Sequence, residues 1–179
     1  MQIRLADDQD IPHIAAIHIA GWQAAYGGLV DQAYLDSLSV EQRAADWRGW
    51  MESGESETLL AEIDGKPAGF VTYGRTKTAP PGESKIRPQY PAEIYALYLL
   101  PDVWRRGIGG ALLGSAAANL KEKKMNGLCL WVLDGNHRAK SFYEKLGGQR
   151  IGKKMIEIGP NNLKEVCYGW RETKLLITT

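Results

Sequence analysis

The chain has 179 residues, enough to bury a core in a single domain, and its 22 lysines and arginines nearly balance 21 aspartates and glutamates for a net charge of +1. That balance argues against non-specific nucleic-acid binding, which needs a strongly basic face. No apolar run approaches the ~20 residues that span a bilayer, so no membrane association is expected, and Met1-Gln2-Ile3-Arg4 enters a strand without a signal-peptide pattern.

Gln2 to Ala6 alternates apolar and polar residues as a half-buried first strand does. Asp7, Asp8 and Asp10 offer helix N-caps before Ile11, Ile14, Ile17 and His18, whose spacing marks one face of a helix. A lone histidine beside such a stripe is more often a packing residue than a catalyst. Gly21 to Gly28 then reads as a candidate binding loop, with Trp22 and Tyr26 set among small residues; the two rings suit the wall of a site and equally suit a plug between helices. Asp31 to Leu38 reads as a short helix, and Ser39-Val40-Glu41-Gln42 matches a capping box ahead of Ala44, Trp47 and Met51 at helical spacing.

Thr58 to Ile63 and Pro67 to Gly74 flank Asp64-Gly65, the strongest hairpin signal in the chain. Residues 75–91 carry Pro80, Pro81, Gly82, Pro88 and Pro91 and read as a long irregular loop, placed to cover a site that begins at Glu93.

Glu93 to Leu100 is a near-continuous apolar run with one carboxylate at its start, the pattern of a central strand. Pro101 and Asp102 stop it, and Trp104-Arg105-Arg106-Gly107-Ile108-Gly109-Gly110 leads directly into a helical pattern. A helix N-terminus carries unpaired N–H groups and about half a positive charge. Gly107, Gly109 and Gly110 remove side chains that would hold a phosphate away from those N–H groups, and Arg105 and Arg106 add cations at the rim. The physical expectation is a pyrophosphate site, set against the reading of an ordinary glycine-rich turn with two solvated arginines.

Ile108, Leu112, Ala116 and Leu120 carry the helix to Asn126-Gly127, and Leu128 to Leu133 is another buried strand. Asn136 is a natural N-cap for a short helix whose inner face holds Ala139, Phe142, Tyr143 and Leu146 and which ends at Gly147-Gly148. Two last strands, Gln149 to Ile158 and Leu163 to Arg171, flank a turn at Gly159-Pro160-Asn161-Asn162. Cys129 and Cys167 show neither metal-ligand nor disulfide spacing, which suits buried thiols in a reducing, cytoplasmic compartment, and no metal site is expected. No internal repeat or second domain interrupts residues 1–179.

This order of elements, and two motifs within it, resemble the GNAT superfamily of N-acetyltransferases. Trp104-Arg105-Arg106-Gly107-Ile108-Gly109 resembles the family's acetyl-CoA signature, and Asn136, Ala139, Phe142, Tyr143 and Gly147 resemble its second motif. The resemblance covers Glu93 to Gly147 well and the flanks in outline. It implies an α/β (α+β) fold, with a mixed, mostly antiparallel central sheet of about seven strands and helices on both faces. Two departures stand out: Trp104 occupies a position usually held by Gln or Arg, and Gly148 stands where an aromatic residue is common.

The resemblance further implies acetyl-CoA as cosubstrate, its pantetheine arm held by the backbone of Leu97, Tyr98 and Leu99, its pyrophosphate on Arg105, Arg106, Gly107, Ile108, Gly109 and Gly110, and Asn136 anchoring the arm or capping its helix. The implied reaction is acetyl transfer to a primary amine of a small molecule or peptide by direct attack in a ternary complex. Tyr143 would protonate the departing sulfur, although Phe142 and Leu146 share its helix face and a packing role stands beside that one. Glu93 would be the base, against the reading of a strand-end carboxylate in solvent or paired with Arg87. A non-catalytic acyl-CoA sensor on the same fold is the alternative, and an exposed edge among the last strands would suit a homodimer.

Overall fold

The computed structural model describes residues 1–77 and 89–177. In chain order these form β1 (Gln2–Leu5), α1 (Ile11–Tyr26), α2 (Gln32–Asp36), α3 (Val40–Glu52), β2 (Ser56–Ile63), β3 (Lys66–Arg75), β4 (Ala92–Leu99), α4 (Ile108–Glu122), β5 (Leu128–Leu133), α5 (His137–Lys145), β6 (Gln149–Ile158) and β7 (Asn161–Trp170). The strands make one sheet in the order β1-β2-β3-β4-β5-β7-β6, parallel at β4–β5 and antiparallel at each other junction. This is the mixed sheet expected, with β6 as an open edge.

Alternation along the strands sends apolar side chains to both faces. On one face Leu112, Leu113, Ala116 and Leu120 of α4 pack with Val71, Ile94, Leu130 and Tyr168, and Tyr143 of α5 joins the same cluster. On the other, Ile11, Ile14 and Ile17 of α1 and Trp47 of α3 pack against Leu60 and Phe70. The β2–β3 hairpin turns through Asp64 and Gly65, both at positive φ (51° and 74°), the backbone that a tight two-residue connection between twisted strands requires.

Two boundaries differ from the sequence reading. The expected loop from Gly21 is the end of α1, which runs unbroken to Tyr26. Gly21 serves close approach rather than flexibility: a Cβ there would stand 2.8 Å from Cδ1 of Tyr98, so its absence lets α1 lie directly on β4. The last turn is shorter than expected, since β7 starts at Asn161 and only Gly159 and Pro160 separate it from β6. Most of the expected 75–91 loop lies outside the described residues. At its base Arg75 still belongs to β3, and Thr76 N–H donates to the Pro91 carbonyl at 3.0 Å.

Gly21→Ala is expected to force Tyr98 or α1 to shift and to destabilise the protein by about 1–3 kcal/mol, the usual cost of overpacking. Urea unfolding checks this, and Gly49→Ala on α3, where a Cβ meets nothing within 4 Å, serves as the control.

Candidate active site

β4 and β5 begin as neighbours and then part. Ala92, Glu93 and Ile94 pair with Leu128, Cys129 and Leu130, and the pairing ends there. At that point β4 carries an extra residue: Thr72 faces Ala96 while Tyr73 faces Ile94, so Tyr95 is bulged out. A bulge sharpens the local twist and swings the rest of the strand away from its parallel neighbour. Leu100 N–H donates to the Ala68 carbonyl at 2.9 Å, toward β3. By alternation, the amides of Leu97 and Leu99 are directed to the opening on the β5 side, where they lack a strand partner.

The opening continues into a cleft of about 780 Å³ whose wall includes Leu97, Tyr98, Leu99, Arg105, Gly107, Ile108, Gly109, Gly110, Asn136 and Tyr143. These ten candidate residues, far apart in sequence, are brought together. Outside that wall lie Arg106, which is exposed, and Glu93, which is buried.

At the cleft's far end α4 starts from Gly107, at φ +80°, and a Cβ on Gly107 or Gly110 would meet nothing within 4 Å. The first turn of α4 is therefore open to the cleft, with its N–H groups accessible to an anion. Gly109 has a different role, since a Cβ there would press on Phe142 Cζ at 3.3 Å.

Trp104 has a role of its own: its indole N–H donates to the Leu99 carbonyl at 3.1 Å, tying the glycine turn to the parted strand. Its ring also carries the Arg138 guanidinium, 3.4 Å from the ring centre. Partial burial and the nearby Arg105 charge lower the Arg138 pKa, so two cations face one another where an anion would relieve both. The cation missing at position 104 is thus supplied from α5. Arg138 escaped the sequence reading although it lies two residues beyond Asn136, inside the second motif.

Asn136 caps α5, its side-chain oxygen accepting the Ala139 N–H at 3.1 Å, which leaves the amide N–H groups as donors at the cleft wall. The Gly148 departure also has a structural reason. A Cβ there would stand 2.6 Å from Cζ2 of Trp170, whose ring from β7 fills that space and whose N–H donates to Leu146 O at 2.8 Å.

Where the strands part, three phenols converge. Tyr26 and Tyr98 hydroxyls are 3.2 Å apart, the charge of Tyr143 would be felt at Tyr26, and that of Tyr98 at Tyr143. Burial raises the pKa of all three, so they stay protonated as hydrogen-bond donors at neutral pH. Tyr98 is backed by His18, stacked on it at 4.7 Å. His18 is 7 % exposed and accepts the Trp47 indole N–H at Nδ1, 3.1 Å away. Burial, helped by Arg43, pushes its pKa down to about 3. It is a neutral packing residue, as its place beside the core stripe suggested.

Glu93 is 5 % exposed and accepts the Lys77 N–H at 3.0 Å. It sits in the still-paired part of β4, on the face opposite α4, because Ala92 and Ile94 on either side point into the α4 cluster.

The model of the acetyltransferase (GNAT) family matches residues 22–148, which contain both motifs and the parted strands. This chain belongs to the GNAT family. Among its relatives, the uncharacterized N-acetyltransferase YuaI of Bacillus subtilis is 29% identical over 176 residues, covering 98% of this chain and 96% of YuaI. An uncharacterized N-acetyltransferase of Archaeoglobus fulgidus is 30% identical over 144 residues, covering 80% of this chain and 89% of its own. The fold is shared with the PaiA N-acetyltransferase of Thermoplasma acidophilum, solved with coenzyme A, at a TM-score of 0.67 and 22% identity over 92% of this chain and 98% of that one. As a GNAT member the chain is an N-acetyltransferase using acetyl-CoA as cosubstrate, and the open α4 turn, the unpaired amides and the two facing arginines fit that ligand.

Two outcomes are expected at this site. Arg138→Ala should weaken acetyl-CoA binding about tenfold, as loss of a charged hydrogen-bond donor does, and calorimetry reads it directly. Because His18 titrates near 6.5 when unfolded and about 3 when folded, its contribution to stability is complete above pH 6.5 and is lost as pH falls from there toward 3. Denaturation of wild type and His18→Gln across that range should show the shallower acid slope in the variant.

Proposed function

We propose that this GNAT enzyme acetylates a primary amine of a small molecule or peptide by direct attack within a ternary complex. The observation that carries the reading is the parting of β4 and β5 at a point ringed by the Tyr26, Tyr98 and Tyr143 phenols. Acetyl-CoA supplies the activated thioester. Leu97 and Leu99 offer its pantetheine amides the hydrogen bonds of a strand neighbour, and a free N–H of the same strand polarises the thioester carbonyl.

A lysine-like amine has a pKa near ~10.4, so only about one molecule in ~10³ is unprotonated at neutral pH, a handicap of roughly 4–5 kcal/mol. Glu93, on the sheet face that carries Tyr98, takes that proton through water in this reading. Its support is position: it is the carboxylate at the bottom of the V where β4 and β5 separate. Cys129 and Cys167 are poor nucleophiles here, since both are buried and their mutual contact with burial pushes the Cys167 thiol up.

Tyr143 acts at the sulfur. A phenol held above its usual ~10 does not readily surrender its proton to a thiolate of pKa ~8.5, a step uphill by about 2 kcal/mol or more. Its part is to hold the departing sulfur by a hydrogen bond as negative charge grows, completing the proton transfer as the amine's proton arrives. Residues 1–179 act as one domain in this reading, in the cytoplasm, where two buried free thiols persist. A homodimer through the open β6 edge, where Met155 is 58 % exposed, belongs to the same reading and is checked by light scattering.

Tyr143→Phe is expected to lower kcat about a hundredfold. Its acetyl-CoA Kd should stay within about twofold, because the lost bond forms mainly as the sulfur departs. Thiol release with a panel of amines measures the first and calorimetry the second. An unchanged kcat in Tyr143→Phe would remove Tyr143 from the reaction, and an unchanged pH profile in Glu93→Gln would remove Glu93.

A further inference from the structure

On the sheet face opposite α4, beyond the parted strands, three polar side chains stand together that neither motif contains. Glu165 of β7 lies between Leu163, which packs with the Tyr26 cluster, and Cys167, which packs with Trp131. Alternation puts all three residues of β7 on that face. Its direct cross-strand partner is Lys154 of β6, with Nζ 3.4 Å from Oε2. The same Nζ lies 4.3 Å from the ring centre of Trp131, a residue of the cleft wall.

The ion pair of this group is long and its indole N–H is unpaired among the described residues. The Lys154–Glu165 separation exceeds the ~2.7–2.9 Å of a good charge-assisted hydrogen bond, although the two side chains are only 29 % and 13 % exposed. The Trp131 indole N–H is shielded from solvent and has no hydrogen-bond partner among the described residues. An unpaired buried donor is costly, and a ligand acceptor atom that reaches it relieves that cost. Burial holds the Glu165 carboxyl above the usual carboxylate range while Lys154 draws it back, and its charge is felt at both Tyr26 and Tyr98 across the gap.

A cation and an aromatic N–H beside a half-buried carboxylate match a ligand carrying both charges on neighbouring atoms. We propose that the acceptor is a free amino acid, its carboxylate on Lys154 and the Trp131 N–H and its amine drawn toward Glu165 and the phenols. This rests on the amine acetylation argued above and narrows it. The amine nitrogen gains the acetyl group and sheds one proton, the C–S bond breaks, and the sulfur leaves as the CoA thiol. A polyamine, with no carboxylate, would leave Lys154 and Trp131 as they are.

The test is thiol release from acetyl-CoA with each of the common free amino acids, their methyl esters and the corresponding decarboxylated amines. For the best amino acid, kcat/KM should exceed that of its ester and its amine by at least about tenfold, since a site built to bond a group rejects the analogue lacking it. Lys154→Met should shrink that ratio to about twofold, and Trp131→Phe should reduce it part-way, with acetyl-CoA affinity by calorimetry as the folding control. Esters or amines used as well as the amino acid would overturn the proposal while leaving amine acetylation intact. So would a panel in which polyamines or peptides release thiol and no free amino acid does. An undiminished ratio in Lys154→Met would overturn the assignment of the carboxylate to that residue. If acetyl-CoA binds and no amine of any class releases thiol, the amine-acetylation reading falls as well.

Discussion

Backbone amides that have lost their sheet partner are the constraint on which the rest of this molecule turns. β4 and β5 share three paired positions, and beyond Ile94 and Leu130 neither strand completes the other. In a closed sheet those groups would pair; left open in a buried place they cost free energy unless something else bonds them. In the proposed reading the cofactor arm, a chain of amides, takes the place of the missing strand. The fold holds the gap open from three sides. The Tyr95 bulge turns β4 away, the Trp104 indole captures the Leu99 carbonyl, and α1, close-packed through Gly21, braces Tyr98 from behind.

The parts of this arrangement that the sequence discloses are the local ones. Asp64-Gly65 defines its hairpin because positive φ at two successive positions is a demand on those residues alone. Gly107 to Gly110 and Asn136 disclose helix starts for the same reason, and both do start helices. What resists reading is whatever is settled across the sheet. Gly21 looks like the start of a loop until the ring it must accommodate, Tyr98, is known to lie 77 residues away on a neighbouring strand. Lys154, Glu165 and Trp131 come from three strands whose register fixes their meeting, and no spacing along the chain carries that information. The bulge at Tyr95 is likewise a mismatch between two strands, invisible in either alone.

At both motif departures another residue supplies charge or volume at the same place. Trp104 gives up a cation yet stacks Arg138 on its own ring, so positive charge returns to the same wall from a different helix. Gly148 gives up an aromatic ring and admits Trp170 in its place. In both cases the backbone tolerates the exchange because the demand is for charge or volume at a point. An acyl-CoA sensor would need the same cation for the same ligand, so this compensation speaks to cofactor binding and not to catalysis.

The three phenols bear on how such a site meets developing charge. Tyr26, Tyr98 and Tyr143 line the cleft and are held in their neutral form by burial. Neutral donors of fixed position suit a reaction that begins with an uncharged thioester and passes through developing negative charge on oxygen and sulfur. In the proposed reading they stabilise the charge as it forms, and unlike water they need no reorganisation to do so. His18 completes the logic from beneath. Had it carried a proton at neutral pH, a fixed cation would lie directly under Tyr98 and draw that phenol toward ionisation. Its depressed pKa, set by burial and by the nearby Arg43 charge, keeps the floor of the site uncharged at neutral pH.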